Sequence, residues 1–129
     1  MNLRKILVAE DEAIIARVLR MQLQKLNFEV EVAANGSLAL ESVRKCQPDI
    51  LITDIEMPVM TGEELCKQLA AEFPARQFPI FVSTSLTEVH HREWSQHIQN
   101  LYFIEKPLSV RKLTTLLKEL QLLEPADAL

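Results

Sequence analysis

The sequence has no long apolar segment and no dense cluster of basic residues. No hydrophobic run approaches the ~20 residues that a transmembrane helix requires, so no membrane span is expected. The formal net charge is −4 and no Lys/Arg cluster stands out, so direct contact with nucleic acid is not expected either. Residues 1–5 lack the long apolar region and small-residue cleavage site of a signal peptide, and we therefore expect a cytoplasmic location.

Cysteine is also scarce. The 129 residues include only Cys46 and Cys66, which form no CxxC motif. Each falls where a helix is predicted, so reduced, packed thiols are expected. The composition, 48% hydrophobic and 25% charged, is that of a folded globular protein. The length suffices for one domain with a substantial core and not for two.

Five short apolar runs predict five strands. Most are nearly continuous in hydrophobicity, as in a strand that is buried on both faces of a parallel sheet. The second run instead alternates Val30 and Val32 with Glu29 and Glu31, which is typical of a half-exposed strand at the edge of a sheet. The predicted strands cover residues 6–9, 28–33, 50–53, 79–83 and 101–104.

Apolar residues recur at helical spacing between and after these runs. This alternation of strand and helix, repeated five times, predicts an α/β fold in which helices cover both faces of a parallel sheet. The cleanest helix lies near the C-terminus, and segment 86–100 is the least regular. The stripes are Ile15, Leu19, Leu23 and Leu26; Leu40, Val43 and Cys46; Leu65, Leu69 and Phe73; a loose Leu86, Val89, Trp94 and Ile98; and Leu113, Leu116, Leu117 and Leu120.

Polar side chains stand directly after four of the predicted strands. Ligands of such sheets bind outside the carboxyl ends of the strands, so these side chains are expected to converge there. Carboxylates that are held together need a cation, and hard oxygen donors without Cys or His favour Mg²⁺. The residues are Glu10 and Asp11 after strand 1, Asp54 after strand 3, the hydroxyls of residues 83–85 after strand 4, and Lys106 after strand 5.

Asp54 is the candidate nucleophile of this group. A carboxylate that faces a cation is able to attack phosphorus and form an acyl phosphate. The metal and Lys106 would neutralise the oxygens of the transferred phosphoryl group, and the Thr84 hydroxyl would hydrogen-bond one of them. Simpler interpretations exist for each residue alone: Asp54 as a turn former, Thr84 as a helix cap, and residues 10–12 as acids favoured at a helix N-terminus.

Histidine and glycine suggest fewer chemical roles. His90, His91 and His97 raise the hypothesis of a zinc site, but their spacing matches no common site and no Cys is near, so surface positions are favoured. Pro58 and Gly62 are expected to shape the loop after Asp54, because proline fixes φ and Gly62 permits a backbone angle that other residues resist.

Four motifs occur in the order and at the approximate distances of a known family. They are ILVAEDE, DIEMPVMTG, PIFVSTS and EKP, and together they resemble the receiver domain of two-component response regulators of the chemotaxis-regulator type. The resemblance spans residues 3–123. It implies a flavodoxin-like, doubly wound sheet of five parallel strands in the order 2-1-3-4-5, with five helices. We assign residues 1–123 to this domain and 124–129 to a C-terminal tail or the start of a linker.

The resemblance also implies roles for single residues. Asp54 is the phosphoacceptor, Asp11 binds Mg²⁺ directly, and Glu10 holds the water shell of the metal. Glu56 offers its backbone carbonyl to the metal. The remaining roles fall on Thr84 as the switch hydroxyl, Phe103 as the switch aromatic residue, and Lys106 as the partner of the phosphoryl group, with a cis peptide bond before Pro107.

The chain departs from the family pattern before strand 5. An Ala-Gly turn is usual there, whereas this chain reads HIQNLYF, without glycine. Ser85 occupies a position that Ala usually fills. The adjacent aromatic residues leave open whether Tyr102 or Phe103 faces the switch, and the spacing from Lys106 favours Phe103.

The function implied by the resemblance is a phosphorylation-controlled signalling switch. The donor would be a phosphohistidine on a sensor histidine kinase or a histidine phosphotransfer protein, and the output would leave through the helix 4–strand 5–helix 5 face, to an output protein or a homodimer. Such a domain phosphorylates itself but is not a turnover enzyme. The alternatives are a protein-binding module that works without phosphorylation and a metal-dependent phosphatase, in which the Glu56 side chain would act as acid and base.

Overall fold

The computed structural model describes residues 4–85, 93–120 and 122, and a five-stranded sheet forms its centre. All neighbouring strands are parallel, and their order is β2-β1-β3-β4-β5. The predicted α/β, doubly wound fold and its strand order are thus confirmed. The strands are β1 Lys5–Ala9, β2 Glu29–Ala33, β3 Ile50–Asp54, β4 Ile80–Thr84 and β5 Leu101–Glu105.

Four α-helices, not the expected five, occur in the described part of the chain. The missing helix was expected in segment 86–100, whose described part contains only a short 3-10 helix, Glu93–Ser95. Residues 86–92 lie outside the described residues. They include two of the four apolar positions predicted for that helix, and also His90 and His91. The predicted tail 124–129 also lies outside them. The helices are α1 Ala13–Lys25, α2 Gly36–Lys45, α3 Gly62–Glu72 and α4 Val110–Glu119, of which α4 is the predicted helix 5.

Two apolar layers hold the helices against the sheet. The first layer joins α2 and α3 to one face, and the second joins α1 and α4 to the other. The aromatic pair of β5 divides between them. Phe103 packs with the first layer, whereas Tyr102 packs with the second and lies 5.6 Å from the ring of Phe81. No described helix combines the length and the apolarity that crossing a bilayer would require.

The two glycines of the chain are needed for close contacts. A Cβ on Gly62 would lie 2.2 Å from the carbonyl oxygen of Asp54, and one on Gly36 would lie 2.4 Å from that of Met60. Neither has a positive φ, so the expectation that Gly62 supplies an unusual backbone angle was wrong. Positive φ in this loop falls on Val59 instead, at 69°. Glycine at both positions lets α2 and α3 begin directly against the loop that follows β3.

The turn before β5 explains how the chain forms it without glycine. Asn100 takes a φ of 56° there, and asparagine tolerates the left-handed region better than most residues. Its side-chain amide donates to the Gln77 carbonyl at 3.0 Å. The Arg76 guanidinium donates to the carbonyls of Phe78, at 2.6 Å, and of Gln99. These contacts fix the entry into β5, the strand that leads to Lys106.

The two cysteines are free thiols in different surroundings. Cys66 is fully buried in α3, and burial raises the pKa of its thiol to about 12. Cys46 lies just after α2 and is exposed, so the expectation of a packed thiol was wrong at this position. The reason is that α2 ends at Lys45, one residue before the predicted stripe does.

Candidate functional site

Three acids meet at the carboxyl edge of the two central strands. Glu10 and Asp11 follow β1 directly, and Asp54 is the last residue of β3. Each offers a carboxylate oxygen, and these oxygens all lie within 4.8 Å of one another. Asp54 is 7% exposed and Glu10 9%, because both lie at the ends of inner strands that are covered on both faces. The sheet therefore concentrates negative charge at one partly buried point.

Lys106 supplies the positive charge next to this group. Its ammonium lies 2.8 Å from Asp54 Oδ1, and its side chain is 38% exposed. The backbone N–H of Lys106 donates to the Thr84 carbonyl at 2.7 Å, which extends the pairing of β4 and β5 by one residue. The peptide bond between Lys106 and Pro107 is cis, as predicted. Lys106 thus reaches the acids from an edge strand, two strands away from Asp54.

Glu10 shows how costly the concentration of carboxylates is. Burial raises its pKa to about 7, and the charges of Asp54 and Asp11 act in the same direction. The N–H of Glu12 donates to Glu10 Oε2 at 3.1 Å and partly opposes this rise. The same hydrogen bond satisfies a backbone donor at the start of α1, whose N-cap residue, Glu12, makes no side-chain cap of its own. Glu10 therefore serves the helix start and the acidic site together.

The donor set fits a hard divalent cation. Within the described part of the chain, three carboxylates converge without a thiolate or an imidazole, which suits Mg²⁺ better than Zn²⁺. A bound dication would also offset the repulsion between these carboxylates, which adds to the effect of burial on the pKa of Glu10. Among the described residues, Glu10, Asp11 and Asp54 are thus a group that could hold a metal ion.

Glu56 lies beside the acids through its backbone. Its N–H donates to Asp54 Oδ1 at 3.4 Å, and its side chain is exposed. The predicted contact of its carbonyl with the metal stays a prediction. An exposed side chain gives no support to the alternative in which Glu56 is the acid and base of a phosphatase.

Thr84 and Phe103 lie on the same side of the sheet near the site. Thr84 is the last residue of β4 and is fully buried. Phe103 pairs in register with Val82, two residues before Thr84. Its ring contacts Trp94 edge to face, with the ring centres 5.9 Å apart. The predicted switch residues are therefore neighbours in the fold, and their switching role stays a prediction.

An apolar groove beside the acids is the feature that the sequence reading missed. It has a volume of about 380 Å³ and lies between α1 and the connection from β5 to α4. Ile15, predicted to belong to the core stripe of α1, is instead 42% exposed, because only Ala16, Leu19 and Leu23 of α1 face the sheet. The sequence did contain a sign of this groove: α1 has more apolar residues than one buried helix face can hold. The exposed members on α1 are Ile14, Ile15, Val18 and Met21.

Sequence comparisons match this chain to a known family and to several regulatory proteins. A family model described as the response regulator receiver domain matches residues 6–118. The transcriptional regulatory protein CreB of Escherichia coli is 37% identical over 105 residues, which cover 81% of this chain and 45% of CreB. ResD of Bacillus subtilis, also named a transcriptional regulatory protein, is 33% identical over 119 residues, covering 92% and 48%. The chain thus spans about half the length of these relatives.

Solved structures show the same fold over nearly the whole chain. The chemotaxis protein CheY4 of Vibrio cholerae superposes with a TM-score of 0.81 at 29% identity, covering 92% of this chain and 98% of that one. The receiver domain of the hybrid histidine kinase CckA gives a TM-score of 0.72 at 28% identity, with 92% and 98% covered. On this evidence, the chain belongs to the family of response regulator receiver domains.

Proposed function

We propose that this domain is a phosphorylation-controlled signalling switch in which Asp54 accepts a phosphoryl group. The observation that carries the proposal is the position of the Asp54 carboxylate: it is nearly buried, grouped with Glu10 and Asp11, and 2.8 Å from the Lys106 ammonium. A nearly buried carboxylate that lies between two other acids and an ammonium group is well placed to act as the nucleophile.

The reaction transfers phosphorus from nitrogen to oxygen. An Asp54 carboxylate oxygen attacks the phosphorus of a phosphohistidine, an O–P bond forms, the N–P bond breaks, and the electron pair returns to the imidazole nitrogen. Lys106 compensates the negative charge of the phosphoryl oxygens near Asp54. Glu10 and Asp11 would hold Mg²⁺, which supplies further positive charge to those oxygens.

The groove beside α1 supports a protein as the donor. Ile14, Val18 and Met21 are 79%, 46% and 54% exposed, and Ile14 and Val18 line the groove that also contains Asp54 and Lys106. Exposed apolar side chains around a polar site are typical of a surface that a partner protein covers. A sensor histidine kinase or a histidine phosphotransfer protein would therefore dock here and present its phosphohistidine to Asp54.

The new charge would act through the β5 side of the domain. The Thr84 hydroxyl would bind a phosphoryl oxygen and Phe103 would turn inward, shifting the helix 4–strand 5–helix 5 face, which here includes β5 and α4. An output protein or a second copy of the domain would read that face. We further propose that the domain works in the cytoplasm and is not a turnover enzyme, since the phosphoryl group stays on the protein as the signal.

Labelling with acetyl phosphate tests the proposal. Mg²⁺-dependent, acid-stable and base-labile incorporation, absent in Asp54→Asn, is the expected result. No incorporation by the folded wild-type protein under any condition would favour the binding module that works without phosphorylation. Repeated hydrolysis of a generic phosphomonoester would favour the phosphatase instead.

The donor requires its own test. Val18→Glu should slow transfer from a phosphorylated kinase or phosphotransfer protein and leave labelling by acetyl phosphate unchanged, because Val18 lines the groove on α1 and is not one of the grouped acids. Lys25→Glu, at the far end of α1, is the matched control with unchanged transfer. Equal transfer to wild type and Val18→Glu would show that the donor docks elsewhere.

A further inference from the structure

The connection from β5 to α4, residues 106–109, carries Lys106 at the site, and its Leu108 packs against the second apolar layer. The Lys106 side chain is 38% exposed, so neighbouring side chains do not enclose it. Its backbone N–H is bound to the Thr84 carbonyl, but the next residue, Pro107, has no N–H to donate. The backbone is still extended at Ser109, the N-cap, and α4 begins at Val110. Further hydrogen bonds reach this connection from α4.

Lys112 provides them from the first turn of α4. Its ammonium donates to the carbonyl of Glu105 at 3.3 Å and to that of Pro107 at 3.4 Å. These two carbonyls flank Lys106 in the chain. The backbone of Lys112 is itself fixed, because its N–H donates to Ser109 Oγ at 3.1 Å. One ammonium group therefore ties both sides of Lys106 to the start of the helix.

The position of Lys112 is unfavourable for the helix itself. A cation in the first turn opposes the helix dipole, whereas one in the last turn, such as Lys118, is favoured by it. The helix dipole therefore gives no reason for a lysine at position 112. The contacts of Lys112 with the connection do give a reason, because its ammonium donates to two backbone carbonyls there.

We propose that Lys112 is a positioning residue for phosphoryl transfer: by holding the carbonyls on both sides of Lys106, it keeps the Lys106 ammonium on Asp54. The inference rests on the function proposed above. Lys112 does not touch the reacting atoms and acts through Lys106 alone. Small displacements of a charged group at a reacting centre change rates strongly, so two peripheral hydrogen bonds are enough to matter.

The first test compares phosphorylation rates with acetyl phosphate and Mg²⁺. Lys112→Met removes the donors but keeps an unbranched side chain of nearly the same length, and the rate should fall about three- to tenfold, as expected for two long hydrogen bonds from a charged group. Lys112→Arg keeps the donors and should recover most of the rate. Lys118→Met removes the same charge at the other end of α4 and should leave the rate unchanged. Equal rates for wild type and Lys112→Met would overturn the proposal.

A double-mutant cycle separates positioning from a direct charge effect. In the Lys106→Met background, Lys112→Met should cause no further loss, because nothing is left to position. An equal loss in both backgrounds would overturn the proposal, since Lys112 would then act on the site by its own charge. Failure of the proposed function looks different: the wild-type protein itself would take up no phosphoryl group, which would overturn both proposals together.

Discussion

The acidic and the basic halves of the site are built in different ways. The acids follow the central strands β1 and β3, and Glu10 and Asp54 are nearly buried. Lys106 follows the edge strand β5 and is 38% exposed, held by hydrogen bonds to backbone carbonyls. The acidic half is thus fixed by packing, whereas the basic half is able to adjust. This difference favours the β5 side as the part that moves when charge at Asp54 changes.

The largest expected effect tests the rigidity of the acidic half. Helix propensity alone predicts that Gly62→Ala stabilises α3. The new Cβ would, however, lie 2.2 Å from the Asp54 carbonyl oxygen and 2.8 Å from Ile55 Cα, which are backbone atoms of the loop. We expect the free energy of unfolding to fall by about 2–3 kcal/mol, measured by urea denaturation. Glu63→Ala, on the exposed side of the same turn, is the control; a loss of under about 0.5 kcal/mol for Gly62→Ala would show that the loop yields.

In the basic half, a substitution should lower the phosphorylation rate strongly and the free energy of unfolding only slightly. Lys106→Met removes the cation next to Asp54, and the rate of labelling by acetyl phosphate should fall about 100-fold, as for other preorganised donors at a reacting group. Its free energy of unfolding should change by less than about 1 kcal/mol, because the ion pair is partly exposed. Lys118→Met serves as control in both measurements. A large loss of stability with little loss of rate would contradict the comparison.

Sequence patterns predicted the positions of the acids better than the packing of the helices around the site. Continuous apolar runs before Glu10 and Asp54 placed both acids at strand ends, and parallel strands bring such ends together. The exposure of Ile15 and the contacts of Gly62 were missed, because both depend on how α1 and α3 lie over the sheet. Lys112 carries no motif at all: its role appears only once its ammonium is seen beside carbonyls seven and five residues earlier in the chain.

The pH dependence of stability is the next expected effect, and it isolates the acidic half. The pKa of Glu10 is raised to about 7 from its usual 4.5, so the folded protein keeps a proton that the unfolded chain has lost. Its contribution to stability is therefore fully present below about pH 4.5 and disappears as the pH rises through 7. In metal-free buffer we expect a loss of about 1–2 kcal/mol between pH 5 and pH 8, after allowance for solvent screening.

Urea denaturation at a series of pH values, with EDTA present, measures this loss. Glu10→Gln should flatten the slope, because the amide does not titrate. Saturating Mg²⁺ should also flatten it, since a cation binds the ionised carboxylates of the folded state. Stability that rises with pH in the wild-type protein, and not in Glu10→Gln, would mean that Glu10 is ionised in the fold and that the acids are less crowded than the structure indicates.

The smallest expected effect reports on the β5 side directly. Trp94 is the only tryptophan of the chain, and its ring meets Phe103 edge to face. Among the described residues, its indole N–H is a buried donor without a hydrogen-bond partner, so a movement of Phe103 that rearranges this contact should change its emission. Phosphorylation with acetyl phosphate should therefore shift the Trp94 fluorescence in wild type and not in Asp54→Asn.

Phe103→Leu should abolish the fluorescence shift and lower the free energy of unfolding by about 0.5–1.5 kcal/mol. Tyr102→Phe, on the opposite face of β5, should retain it; an unchanged emission in phosphorylated wild type would place the moving part of the domain elsewhere.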